Sequence, residues 1–456
     1  MNVFIEFTYL AASILFILGL KGLSHPESAR RGMIYAEIGM LLAIVGTLVH
    51  KEIVSYEWII AGLIIGSLVG GAISIWVPMT AMPQRTALSH AFGALAASLV
   101  GISEYYRHAG HVETVKMTAL GLEFMLGGLT VTGSLMAFVK LQDWIRGTPI
   151  TYPGQNVVNM TLFGVMTLML IYVIVVPSAT LAFYSVVGLA YVFGVLLVLP
   201  IGAADMPVVM SLMNSYAGLA AAATGFAISN NVLIIAGTLD GFSGFILSIL
   251  MCRAMNRSIS NVLFGAFGSE ATAARGPEGG VMREVSADEI ALQMAYARQV
   301  IFVPGYGMAT AQAQHAVREL ATLLESRGVT VKYAIHPVAG RMPGHMNVLL
   351  AEANVPYSSL YDLEQINSEF PGADVAVVIG ANDVVNPDAR DNPQSPIAGM
   401  PILDVDRAHS VVVLKRGKGK GFAGIENPLF FKPNTGMLYG DAKASLIKLA
   451  DAVQHV

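Results

Sequence analysis

Cysteine is nearly absent: Cys252 stands alone among 456 residues. An intrachain disulfide is therefore excluded, and the usage fits a reducing compartment such as the cytoplasm. Charge is also scarce. Asp, Glu, Lys and Arg make up 13% of the chain, against about 25% in soluble domains. With 54% hydrophobic residues, the chain reads as an integral membrane protein. The net charge of -4 gives no reason to invoke nucleic acid as a partner. No group of Cys, His and carboxylates has metal-ligand spacing, so no metal site is expected. A basic region is missing ahead of the first apolar run, at residues 4–20. That run reads as a retained helix and not as a signal peptide.

The chain changes character once, near residue 258. Eleven of the 27 Lys and Arg fall in residues 1–260, and sixteen in the shorter remainder. Up to that point, runs of about 20 apolar residues recur, the length needed to cross a bilayer. Nine are expected, near 3–20, 33–49, 57–77, 87–103, 118–139, 158–176, 180–200, 206–228 and 231–250. An odd number places the two ends of the bundle on opposite sides. With the N-terminus outside, the inner loops hold Lys21, Arg30, Arg31, Arg85, Lys140, Arg146, Arg253 and Arg257. The outer loops hold only Lys51, Arg107 and Lys116. The excess of basic residues inside puts the C-terminal part in the cytoplasm. Glycines such as Gly62, Gly66, Gly70 and Gly71, and Gly121, Gly127, Gly128 and Gly133, suggest close helix packing.

Polar and ionisable groups at membrane depth are costly and tend to face a cavity or a partner. His90, near the start of the fourth run, shares a helical face with Ala94, Ala97 and Gly101. It suits either a proton carrier, since its ordinary pKa is about 6.5, or a packing histidine. Asp205 precedes Pro207 at the opening of the eighth run, where it is equally a helix cap. Asn214 lies beside Ser211, Ser215 and Gly218. It either holds water or a histidine, or binds helices together. Glu123 lies about one turn from the outer end of the fifth run, where it either snorkels to the interface or is a further candidate group at membrane depth.

Residues 259–285 are rich in Gly, Ala and small polar residues and read as a linker. Ser286-Ala287-Asp288-Glu289 then matches a capping box. A strand at 299–303, a turn at Pro304-Gly305-Tyr306-Gly307, a helix from Met308 through Glu325 and a strand at 330–335 make a βαβ unit. Two glycines at a strand-to-helix turn admit a dinucleotide pyrophosphate. The pattern Gly305-x-Gly307-x-x-Thr310 is an imperfect fingerprint, with Thr in the last place. The second strand ends in His336-Pro337, without the acidic residue that NAD sites place on the ribose. That absence points to NADP. Residues 374–379 read as a buried strand ending in Gly380-Ala381-Asn382-Asp383. Residues 410–414 are another, leading into Lys415-Arg416-Gly417-Lys418-Gly419-Lys420-Gly421. This basic loop reads either as a phosphate site, which its place at a strand end favours, or as solvated surface. The fold class expected is a polytopic α-helical membrane bundle of about nine spans plus a C-terminal α/β Rossmann-like nucleotide-binding domain.

Several long runs carry a resemblance. They are Gly202-Ala203-Ala204-Asp205-Met206-Pro207-Val208-Val209, Pro304-Gly305-Tyr306-Gly307-Met308-Ala309, the stretch from His336 to Ala353 with Gly340-Arg341-Met342-Pro343-Gly344-His345, Gly380-Ala381-Asn382-Asp383, and Gly440-Asp441-Ala442-Lys443. Together they resemble the β subunits of proton-translocating NAD(P)+ transhydrogenases, over essentially the whole chain. The resemblance implies a transmembrane proton-translocating domain at 1–258, a linker at 259–285 and a cytoplasmic NADP(H)-binding domain at 286–456. It implies a partner α subunit that binds NAD(H), a dimer of α-β units, and a bacterial cytoplasmic (inner) membrane. It further implies that hydride passes between the two nicotinamides while a proton crosses the bilayer. The family's membrane residues map onto His90, Asp205 and Asn214. Its nucleotide site maps onto Gly305, Tyr306, Gly307, Met308, Ala309, Arg341, Gly380, Asn382, Asp383, Lys415 and Arg416. One departure is Met82-Pro83-Gln84-Arg85, where the family pattern places an acidic residue after the proline.

Two rival readings have distinct signatures. An ion transporter or channel with a nucleotide-sensing Rossmann-like regulatory domain would need an ion-coordinating carboxylate set in the bundle, and none is seen. A membrane anchor without chemistry would not need the cationic loop or the NADP-type strand end.

Overall fold

The computed structural model describes residues 2–50, 53, 55–108, 112–145, 149–264, 281–417, 419, 421 and 423–456. Most of the linker, with Lys51, Arg146, Lys418 and Lys420, lies outside the described residues. Two compact units are present: Met1–Ile201 with Val209–Ser248, and Gly202–Val208 with Ile249–Val456.

Among the described residues nine helices are long and apolar enough to cross a membrane, which fits a multi-pass membrane protein. They are α1 (Asn2–Leu23), α2 (Pro26–Leu48), α3 (Glu57–Trp76), α4 (Met82–Arg107), α5 (Thr114–Leu141), α6 (Gln155–Val175), α7 (Thr180–Val198), α8 (Met206–Ala227) and α9 (Asn231–Ala254). Several extend beyond the apolar runs, because helical hydrogen bonding continues into the polar ends.

Small residues explain how some of these helices meet. A Cβ on Gly22 of α1 would lie 2.7 Å from the Gly32 Cα of α2. One on Gly128 of α5 would meet the Ala190 Cβ of α7 at 3.0 Å, and one on Gly133 the Met213 sulfur of α8 at 2.9 Å. The expectation fails for α3. Gly62, Gly66, Gly70 and Gly71 have no such neighbour within 4 Å, and α3 buries none of its residues.

Lys140 is not a loop cation. It is buried at the end of α5 and donates to the carbonyls of Val198 (3.2 Å), Leu199 (2.5 Å) and Ile201 (2.7 Å). It thereby satisfies carbonyls that the end of α7 leaves without helical partners. Of the two readings of Glu123, snorkelling is not supported: the side chain is fully buried, close to Gly101 of α4 and Thr224 of α8.

The second unit carries a six-stranded sheet ordered β3-β2-β1-β4-β5-β6, every pairing parallel. The strands are β1 (Gln299–Pro304), β2 (Thr330–Ile335), β3 (Leu360–Asp362), β4 (Val375–Ile379), β5 (Ser410–Lys415) and β6 (Thr435–Tyr439). This is the Rossmann order, with its switch point between β1 and β4. Continuous apolar runs such as Val300–Val303 and Val375–Ile379 are buried on both faces, as parallel strands require. Ser286 caps the helix Ala287–Ala295 by accepting from the Glu289 amide.

The helix after β1 is broken where a single one is expected. It runs Tyr306–Thr310, and a second helix starts at Gln314. Gln312 adopts φ 49, a left-handed conformation that helical hydrogen bonding does not tolerate.

Candidate functional site

The carboxyl ends of β1 and β4 are drawn together by glycine. The Gly305 amide donates to the Ile379 carbonyl, and the Gly307 amide to the Gly380 carbonyl, both at 2.9 Å. A Cβ on Gly305 would lie 2.5 Å from the Ala381 nitrogen, and one on Gly307 would lie 2.6 Å from the Gly380 Cα. Gly380 has φ 64, which side chains rarely adopt. These glycines thus act by close approach of backbone, and their own amides are spent on β4. Met308 and Ala309 are buried beneath the turn.

Tyr306 leans outward from that turn. The Arg341 guanidinium stands over its ring at 4.3 Å, and the His345 ring lies 6.5 Å away. Arg341 is itself held from below, since its amide donates to His345 Nδ1 at 3.2 Å. The sequence offers no periodic signal for His345 in this role. His336, at the end of β2, is buried, and its Nε2–H donates to the Pro401 carbonyl at 2.8 Å. Its Nδ1 accepts from the Val338 amide at 3.3 Å. Burial pulls its pKa down to about 4, so it is a neutral structural group.

At the end of β4, Asn427 donates to the Asn382 carbonyl (3.0 Å) and side-chain oxygen (3.2 Å). Asp383 accepts from the Ala423 amide at 3.0 Å, so the glycine-rich segment after β5 folds back over it. Lys415, at the end of β5, donates to the Gly419 carbonyl and stands 4.5 Å over the Phe430 ring. Burial lowers its pKa, while Asp383 and Glu426 oppose that shift. Arg416 is exposed beside it. Gly417 and Gly419 have open space where a side chain would stand.

These features fit a phosphorylated nucleotide. Lys415 is held by a neutral carbonyl that a phosphate oxygen can replace with a stronger, charge-assisted bond. The open glycine backbone leaves room for it. The end of β2 carries His336 and Pro337 and no carboxylate that would repel a 2′-phosphate.

In the first unit, His90 of α4 and Asn214 of α8 come together. The Asn214 side chain lies against the imidazole, and its amide donates to Asp240 of α9 at 3.0 Å. Asp205 belongs to the second unit, in a turn at Ala203–Asp205. There Arg257 donates to both of its carboxylate oxygens, at 2.6 and 2.5 Å. Neither Asp240 nor Arg257 was singled out from sequence as part of a site. An isolated carboxylate and a partner 52 positions away leave no local pattern.

Comparison with known proteins agrees with this architecture. The family model for the NAD(P) transhydrogenase beta subunit matches residues 5–452. Two relatives, each the NAD(P) transhydrogenase subunit beta of Rhodospirillum rubrum, one from a defined strain, are 50% identical to this chain over 455 residues. The match covers 98% of this chain and 98% of each relative. With nine membrane-length helices among the described residues and a Rossmann-ordered sheet in one polypeptide, this chain belongs to the NAD(P) transhydrogenase beta subunit family.

Proposed function

We propose that this chain is the NADP(H)-binding membrane subunit that couples hydride transfer between NADH and NADP+ to proton translocation. The observation that carries the reading is the cationic pair Lys415-Arg416 at the carboxyl end of β5. It lies on the same sheet edge as the β1–β4 glycine closure, where ligands of open parallel sheets bind.

Residues 1–258 serve as the proton-translocating part, 259–285 as the linker and 286–456 as the NADP(H)-binding domain. Lys415 and Arg416 hold the 2′-phosphate. Gly305, Gly307 and Gly380 keep the strand ends close, and Tyr306, Met308, Ala309, Asn382 and Asp383 line the same edge. Arg341, stacked on Tyr306, supplies a further cation. A partner α subunit brings NAD(H), and two α-β units associate. The assembly sits in the bacterial cytoplasmic membrane with residues 286–456 on the cytoplasmic side.

When both nucleotides are bound, the nicotinamides supply direct hydride transfer, which needs positioning more than side-chain acid or base. This chain's task is then gating. His90, with Asn214 beside it, binds and releases the proton, and Asp205 takes part in coupling. Protonation biases a two-state change that reaches the nucleotide domain.

The test is calorimetric titration of the full chain in nanodiscs with NADP+, NADPH, NAD+ and NADH. Tight binding of the phosphorylated pair alone is expected. Equal binding of all four would overturn the assignment of NADP(H) to this chain. Coupling is tested separately with His90→Ala, which should abolish proton-coupled turnover and leave NADPH binding measurable.

A further inference from the structure

Asp240 is the tenth residue of the 24-residue helix α9, and so lies near the middle of a membrane span. Its carboxylate accepts the Asn214 amide at 3.0 Å. Asn214 in turn lies against His90, whose Nδ1 is buried with no hydrogen-bond partner among the described residues. Side chains from α9, α8 and α4 thus form one polar line at membrane depth. The line has an open end, because Asp240 is exposed on the surface of this chain.

The plainer account is that Asp240 and Asn214 staple α8 to α9. Those helices need no such staple. A Cβ on Gly244 would already meet the Ser215 nitrogen at 2.8 Å and the Ser211 carbonyl at 3.0 Å. Ser215 Oγ also donates to the Gly241 carbonyl at 2.7 Å. A neutral side chain would satisfy Asn214 with far less desolvation than a carboxylate, and carboxylates persist at midspan where they do chemistry.

We infer that Asp240 is a proton-binding station in line with Asn214 and His90, an inference that rests on the proton-coupling reading above. One proton joins a carboxylate oxygen and makes the neutral acid. The same proton leaves when the line exchanges one with the His90 imidazole. Only O–H and N–H bonds form and break, and the charge moves with the proton. Asn214 does not titrate; it fixes the separation of the two groups. His90 is the titratable group of α4 that this line reaches, and Tyr216 is a second titratable side chain on α8, two residues from Asn214. Toward α1 and α2, Val232 of α9 packs on Ala12 and Ala43, with Tyr9 of α1 the titratable side chain beside them, its hydroxyl 3.5 Å from the Asn230 amide nitrogen.

The test uses the full chain with its partner subunit in proteoliposomes, comparing native protein with Asp240→Asn and Asp240→Glu. Proton uptake, its pH profile, hydride exchange and NADPH affinity are measured on each. Asp240→Asn should slow proton uptake by about tenfold or more, with NADPH affinity unchanged. Asp240→Glu should restore uptake with a displaced pH profile. Native uptake in Asp240→Asn would overturn the station. So would parallel loss of uptake and of NADPH binding in both variants, which marks a structural staple. If the native complex exchanges hydride without moving protons, the coupling reading itself fails, and the station falls with it.

Discussion

Arg257 donates to both carboxylate oxygens of Asp205, through one nitrogen at 2.6 and 2.5 Å. Asp205 is largely shielded from solvent, and Arg257 is about one-third exposed. Removing one member of such a pair strands the other charge, whereas removing both does not. Arg257→Gln should therefore destabilise the protein more than the double variant Asp205→Asn/Arg257→Gln. A double-mutant cycle by thermal unfolding in detergent should give a coupling of about 1–3 kcal/mol. Additive effects would mean that the pair is not formed in the working protein.

In the proposed function, Lys415 exchanges its Gly419 carbonyl partner for a phosphate when NADPH binds. Lys415→Ala should weaken NADPH binding by about 1.5–3 kcal/mol, the range for hydrogen bonds to charged groups. Its effect on NADH should be far smaller. Calorimetry on the full chain reads both. An equal loss for the two nucleotides would place Lys415 away from the 2′-phosphate.

Gly380 combines φ 64 with contact against the Gly307 backbone. Gly380→Ala adds a left-handed penalty of roughly 1–2 kcal/mol before any steric cost. The variant should lose NADPH affinity and unfold at lower denaturant. Wild-type values for both would show that β1 and β4 can part without consequence.

His336 gives a pH signature. Its folded pKa of about 4 lies below the ordinary 6.5, so the unfolded chain binds the extra proton between those values. Stability from this group is complete above about pH 6.5 and is lost as pH falls toward 4, by at most about 1.4 kcal/mol per pH unit. Protection factors of the β1 and β2 amides, corrected for the intrinsic exchange rate at each pH, should fall as pH drops across that window. His336→Gln should flatten the response.

The membrane helices were legible because hydropathy is a property of each segment alone. The parallel strands were legible because burial on both faces writes unbroken apolar runs such as Val375–Ile379. Contacts between distant residues were not. Asp240 sits inside an otherwise apolar run, and nothing beside it announces Asn214. Arg257 looked like one of several loop cations until the fold placed it on Asp205. The break at Gln312 was hidden because Gln and its neighbours favour helix, and a single left-handed residue overrides them. Gly305 and Gly307 were recognised, but their service to the β4 end became visible only with the pairing.

The solitary character of α3 has a consequence for mutational tolerance. Since none of its residues is fully buried within this chain, exchanges among its exposed apolar side chains alter little internal packing. Its insertion into the bilayer depends on summed transfer free energy, which such exchanges conserve. A stability screen on the chain by itself would therefore see α3 as nearly silent, sensitive to a new charge and indifferent to shape. The tightly fitted α5 would register the loss of a single methylene.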